Sequence, residues 1–229
     1  MEPITETLGY PMESDSWLMT VLIGGVLLFL SFLFLPVLLV YGYVVQVLRA
    51  RLQRVPQPPS FENWEKLFVD GLKAFVIGFV YMLVPAVVLF LTVGTAFVGS
   101  TGSGSVGVAS ATMLFGFAVA GLLGVALGYV AVAGLVNFAR EDRIGAAFEF
   151  GTLKTALLNR EYAMGWLAAL LVAVVAGMVA AIPLIGWLLS PFVSFYAVTV
   201  AANFWATGFA AAFDDQRPPE SVGSAEPVS

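Results

Sequence analysis

The chain has no cysteine and no histidine. The first absence removes disulfides and thiolate nucleophiles, the second removes imidazole bases, and together they remove the usual zinc and haem ligands. No metal or cofactor site is expected, and no catalytic motif replaces them, so the chain reads as a non-enzyme. Charge is scarce as well. Asp, Glu, Lys and Arg make up 11% of the residues, against about a quarter in a soluble domain. Lysine occurs only at Lys66, Lys73 and Lys154. With no basic patch, nucleic acid is not an expected partner.

What fills the chain is apolar: 60% of its 229 residues are hydrophobic. No Asp, Glu, Lys or Arg occurs from Ser16 to Leu48, from Ala74 to Ala139, or from Tyr162 to Phe213. A helix needs roughly 20 apolar residues to cross the hydrocarbon core, so each run holds one to three spans. The expected fold is all-α, a polytopic transmembrane bundle occupying residues 17–213. Residues 1–16 form an acidic N-terminal segment without Lys or Arg, which does not fit a secretory signal peptide. The first apolar run is therefore expected to be retained. Residues 214–229 read as an acidic, disordered tail.

The run from Trp17 to Leu48 would extend about 48 Å as one helix, well beyond a core of about 30 Å. Pro36 divides it. Either a hairpin forms there, giving six spans as three hairpins, or one kinked helix gives five. The six spans are expected near 17–35, 37–54, 72–98, 108–138, 164–182 and 192–212, the last two separated by a break at Pro183, Gly186 and Pro191. Residues 99–107 form a neutral Gly/Ser loop. Between the spans lie two polar connections that mix aromatics with charge. In the first, Ser60 is the expected N-cap of an interfacial amphipathic helix near 60–71, with Gly71 turning into the next span. Phe61, Trp64, Leu67, Phe68 and Leu72 lie on one face and Glu62, Asn63, Glu65, Lys66 and Asp70 on the other. The second connection is read as a related helix near 143–158, with Ile144, Phe148, Gly151 and Leu158 on its apolar face.

Nine of the ten Lys and Arg residues fall in these two connections. The positive-inside rule places both in the cytoplasm, and with six spans both termini as well. The expected location is the cell membrane, multi-pass. No span carries a charge, which argues against a proton-coupled or voltage-sensing mechanism. The intramembrane polar candidates are Asn137 and Asn203, positioned either to bind a ligand headgroup or to lock two helices. The carboxylates Glu62, Glu65, Asp70 and Glu149 are expected to form ion pairs across the connections rather than an acid/base pair. Ala120, Gly124 and Gly128 recur every four residues and read as an internal packing face rather than a dimer seam.

Four stretches carry a resemblance: Ile23–Ala50, ending PVLLVYGYVVQVLRA; Pro58–Pro85, with Phe61, Trp64, Leu67, Phe68, Gly71, Leu72 and Lys73 as its most specific part; RIGAAFEFGTLK from Arg143 with LNREYAMGW from Leu158; and SPFVSFYAVTVAANFWATGF from Ser190. The chain resembles domain-of-unknown-function family 4013, archaeal and bacterial polytopic membrane proteins well represented in haloarchaea. The acidic, Lys-poor ends fit such a high-salt setting. Related chains often carry a basic residue after Tyr-Pro, whereas this one has Tyr10-Pro-Met-Glu13. The resemblance implies an integral membrane protein and transfers no functional residue. The expected role is a membrane scaffold that binds a protein partner or lipid at the cytoplasmic face. Its partner face would be Phe61, Trp64, Leu67, Phe68 and Phe148. The competing expectation is a transporter or channel-like protein for a neutral or lipid-like solute.

Overall fold

The computed structural model describes residues 4–103 and 106–214. The expected tail from 215 on lies outside them. Among the described residues there is helix and no strand. The helices are α1 (Ile4–Gly9), α2 (Trp17–Phe29), α3 (Leu35–Leu52), α4 (Trp64–Ser103), α5 (Val106–Glu141), α6 (Phe150–Leu157), α7 (Arg160–Ala180) and α8 (Ile185–Asp214).

Five of them, α3, α4, α5, α7 and α8, are long and apolar enough to cross a membrane. A sixth crossing exists only if the segment Glu6–Glu13 and α2, which meet at 92°, count as one span. The expected first span near 17–35 is shorter than anticipated. The helix stops at Phe29, about 20 Å long, and the chain reverses over Leu30–Phe34, where Phe34 takes φ 64°. Pro36 does not make the turn. It sits in the first turn of α3, where its missing N–H has no helical partner to lose.

The interfacial helix expected near 60–71 is not separate. Nothing between Trp64 and Ser103 stops the helix, so those residues form the first turns of a 40-residue α4. Its N-cap is Asn63, not Ser60: the Asn63 Oδ1 accepts from Lys66 N at 3.0 Å, whereas the Ser60 hydroxyl donates to Glu62 at 2.5 Å. The second connection splits into a 3-10 turn, Ile144–Phe148, and α6. It buries Leu153 and Ala156 and leaves Leu158 exposed. The helix also continues to Ser103 and resumes at Val106, where a loop over 99–107 was expected. Helix α8 begins at Ile185 rather than Phe192, with Pro191 inside it. The Trp187 carbonyl that Pro191 cannot pair is taken up by the Ser190 hydroxyl at 3.4 Å.

Two antiparallel hairpins, α4–α5 and α7–α8, are joined by α3 and α2. Glycines set the closest approaches. A Cβ on Gly42 would overlap the Leu67 carbonyl, and one on Gly71 would overlap the Leu38 carbonyl, so α3 and α4 touch backbone to backbone. Gly71 therefore serves packing, not a turn. By contrast Gly124 and Gly128 face open space while Ala120 is buried, so only the first residue of the small-residue face read from sequence is packed. The far halves of α4 and α5 expose Phe90, Phe97, Leu114 and Phe115. Apolar exposure on that scale is rare in soluble monomers and is compatible with a membrane protein.

Candidate functional site at the charged end

The C-terminus of α3, the start of α4 and the C-terminus of α5 meet at one end of the bundle. Arg49 on α3 clamps Asp70 on α4 with both guanidinium arms, the second at 3.2 Å. The same Nη2 donates to Asp142 Oδ1, just beyond α5, at 2.7 Å, and Lys73 Nζ lies 3.9 Å from that oxygen. The Phe138 ring lies against both cations, 5.8 Å from Arg49 Cζ and 5.9 Å from Lys73 Nζ. Asp70 was expected on a polar outer face but is only 3% exposed. Burying a carboxylate this deeply is costly unless it is paired and hydrogen-bonded, and the Arg49 fork supplies both.

Arg140 extends the joint to α8. It donates to Glu141 at 2.9 Å and its guanidinium stacks over Phe213 at 4.7 Å and Phe209 at 5.6 Å. Arg143 bonds Glu149 at 2.8 Å and also Glu141. Those two carboxylates raise the Arg143 pKa above the ordinary arginine value, through hydrogen bonds to Glu149 and then Glu141, so it remains charged. Of the carboxylates expected to pair across the connections, Asp70 pairs with Arg49 and Glu149 with Arg143, each inside its own connection, and the contacts that do cross run from Arg49 and Lys73 to Asp142, which was not among the expected partners. Among the described residues Lys66, Lys154 and Arg160 form no ion pair.

Several neutral polar groups tie corners of the bundle together. Asn137 Nδ2 donates to Ala146 O at 2.8 Å, and Tyr81 donates to Ala147 O at 2.6 Å, together pinning the 144–148 turn onto α4 and α5. Tyr129 donates to Leu157 O at 2.8 Å and Tyr162 to Tyr129 O at 2.7 Å, fixing the α6–α7 corner to α5. The amides of Asn137 and Asn203 do not bond each other, and the Oδ1 of each is buried without a partner. No three Asp or Glu residues gather as a metal site among the described residues.

Two apolar crevices flank the α5–α8 contact and share Val132, Val198 and Trp205. The larger, about 400 Å³, lies between α3, α4, α5 and α8. The other, about 320 Å³, is a trough between α7 and α8, closed on one side by α5. Neither is lined by Asn137 or Asn203.

The sequence model of the family described as "Protein of unknown function (DUF4013)" matches residues 25–185. The chain belongs to this family. No curated protein and no solved structure matches it. The matched stretch of this DUF4013 member covers α3, α4, α5, α6 and α7 and includes the Arg49–Asp70–Asp142 joint. The expected partner face is dispersed within it. Phe61 and Leu67 are buried, with Phe61 stacked on Tyr43 at 4.6 Å, and Phe148 stacks on Tyr81 at 5.3 Å. Phe68 is half-buried, and only Trp64 of the five is exposed, at 46%. The sequence period marked an apolar face but could not tell whether protein or lipid covers it.

Proposed function

We propose that this DUF4013 member is a non-enzymatic membrane scaffold that binds lipid or a membrane protein at the end bearing its charged connections. The positive-inside rule assigns that end to the cytoplasm. The observation that carries this reading is the character of the crevices. Both are lined almost wholly by apolar side chains and neither reaches the buried amides. Apolar walls favour hydrocarbon occupants and offer a polar solute no substitute for its water. The paired charges at the charged end support a rigid platform rather than an ion path.

Cross-linking in native membranes followed by purification tests this reading. A reproducible lipid or protein bound in stoichiometric amount is the expected result. A purified chain that carries nothing above the bulk lipid background, yet catalyses flux of a neutral solute in vesicles, would overturn it. Transport remains the second reading because the orphan Oδ1 atoms of Asn137 and Asn203 are unmet acceptors inside the bundle.

A further inference from the structure

We propose that the trough between α7 and α8 holds an acyl chain of an anionic phospholipid, with the lipid phosphate seated on Lys154 and Arg160. This rests on the reading of the chain as a membrane-embedded binding protein and names the ligand and its place. The trough runs from Trp166 and Trp205 to Ala176 and Ser194. Ten residues of α7 make it about 15 Å long, parallel to the helix axes. Its floor is kept open by Ala169, Ala173 and Ala197, while Gly165, one turn earlier, packs against the backbone of α8. A narrow apolar channel of this length, running along two antiparallel helices, suits a chain better than a compact solute.

Charge decides the class of lipid. Trp166 at the inner mouth of the trough packs edge-on against Tyr129 at 5.4 Å. Tyr129 in turn bonds Leu157, the last residue of α6. Lys154 lies one turn before Leu157 and Arg160 three residues after it, so both cations sit on the corner that caps this mouth. Both are exposed and form no ion pair among the described residues, unlike Arg49, Lys73, Arg140 and Arg143. They are the only Lys or Arg between 144 and 214, and Glu161 is the only carboxylate between 150 and 213. The corner therefore carries one net positive charge beside an aromatic pair at interfacial depth, which complements a phosphate diester. A zwitterionic headgroup presents a compensating cation to the same corner.

The test uses the full chain with Trp17, Trp64 and Trp187 replaced by phenylalanine, leaving Trp166 and Trp205 as reporters. It is reconstituted in phosphatidylcholine vesicles containing brominated-chain phosphatidylglycerol or brominated-chain phosphatidylcholine. Brominated phosphatidylglycerol should quench at roughly fivefold lower mole fraction, the preference for one net cation near an anionic headgroup. Lys154→Gln with Arg160→Gln should make the two curves coincide; both side chains are exposed, so this variant keeps its fold. Ala173→Phe, which fills the trough, should lower quenching by both lipids. Equal quenching by the two lipids in the parent protein, or a preference that survives in K154Q/R160Q, would overturn the proposal. If that happens while native-membrane cross-linking still captures a protein, the lipid site fails and the scaffold reading stands.

Discussion

Gly42 and Gly71 fix the distance between α3 and α4, because each carries the backbone carbonyl of the other helix where a side chain would be. Gly42→Ala and Gly71→Ala are each expected to destabilise the bundle by about 1–3 kcal/mol, since a methyl group there must push a main chain aside. Gly124→Ala and Gly128→Ala face open space and are expected to stay within about 0.5 kcal/mol. Unfolding of the four variants in mixed micelles separates the two pairs, and equal losses would contradict the packing described. Sequence showed that small residues abound but not which of them touch. A four-residue spacing marks a face on a helix, and only the neighbouring helix decides whether that face is a contact. The same limit applies to Asn137. Its place near a helix end was legible, whereas its bond to Ala146 depends on how the 144–148 turn folds back.

At the scale of elements, the Arg49 joint does what no single helix can: it ties α3, α4 and α5 at one end. Its two carboxylates are not equivalent. The Asp70 side chain is 4% exposed and that of Asp142 is 65% exposed. Asp70→Asn leaves a nearly buried guanidinium with only the solvent-exposed Asp142 as its anion and is expected to cost about 3–5 kcal/mol. Asp142→Asn removes a solvent-screened partner and is expected to cost under about 1 kcal/mol. Double-mutant cycles with Arg49→Gln should show strong coupling to Asp70 and weak coupling to Asp142; the reverse order would refute the assignment. Element existence was legible because uncharged runs long enough to span lipid have few alternatives. The joins were not. Trp64–Lys73 alternates apolar and charged residues in the manner of an interfacial helix, and Asp70 looked solvent-facing until Arg49 arrived from a neighbouring helix. Likewise Pro191 read as a break, because a sequence does not show that Ser190 will satisfy the carbonyl which the proline leaves unpaired.

For the whole molecule, the N-terminal segment carries the topological information that hydropathy lacks. Tyr10 is buried with its ring 4.9 Å from the Arg51 guanidinium, near the C-terminus of α3. The Leu8 carbonyl accepts from Tyr196 at 2.6 Å. The chain then bends and α2 runs antiparallel to α8, with Gly24 and Gly25 against Phe195 and Phe192 and Phe29 against Trp187. A segment held beside Arg51 lies at the end of the bundle that the first charged connection occupies, even though α2 alone is too short to cross a membrane. The absence of cysteine makes this directly measurable with single-cysteine variants and a membrane-impermeant maleimide on oriented vesicles. Ser14→Cys, Gln57→Cys and Thr152→Cys are expected to be labelled from one side. Leu184→Cys, 88% exposed at the α7–α8 turn, is expected to be labelled from the other. Labelling of Ser14→Cys together with Leu184→Cys would place the N-terminal segment on the face where α3 begins and leave α1 and α2 without a crossing. Labelling of Gln57→Cys and Thr152→Cys from different sides would break the antiparallel α4–α5 pair on which the Arg49 joint depends.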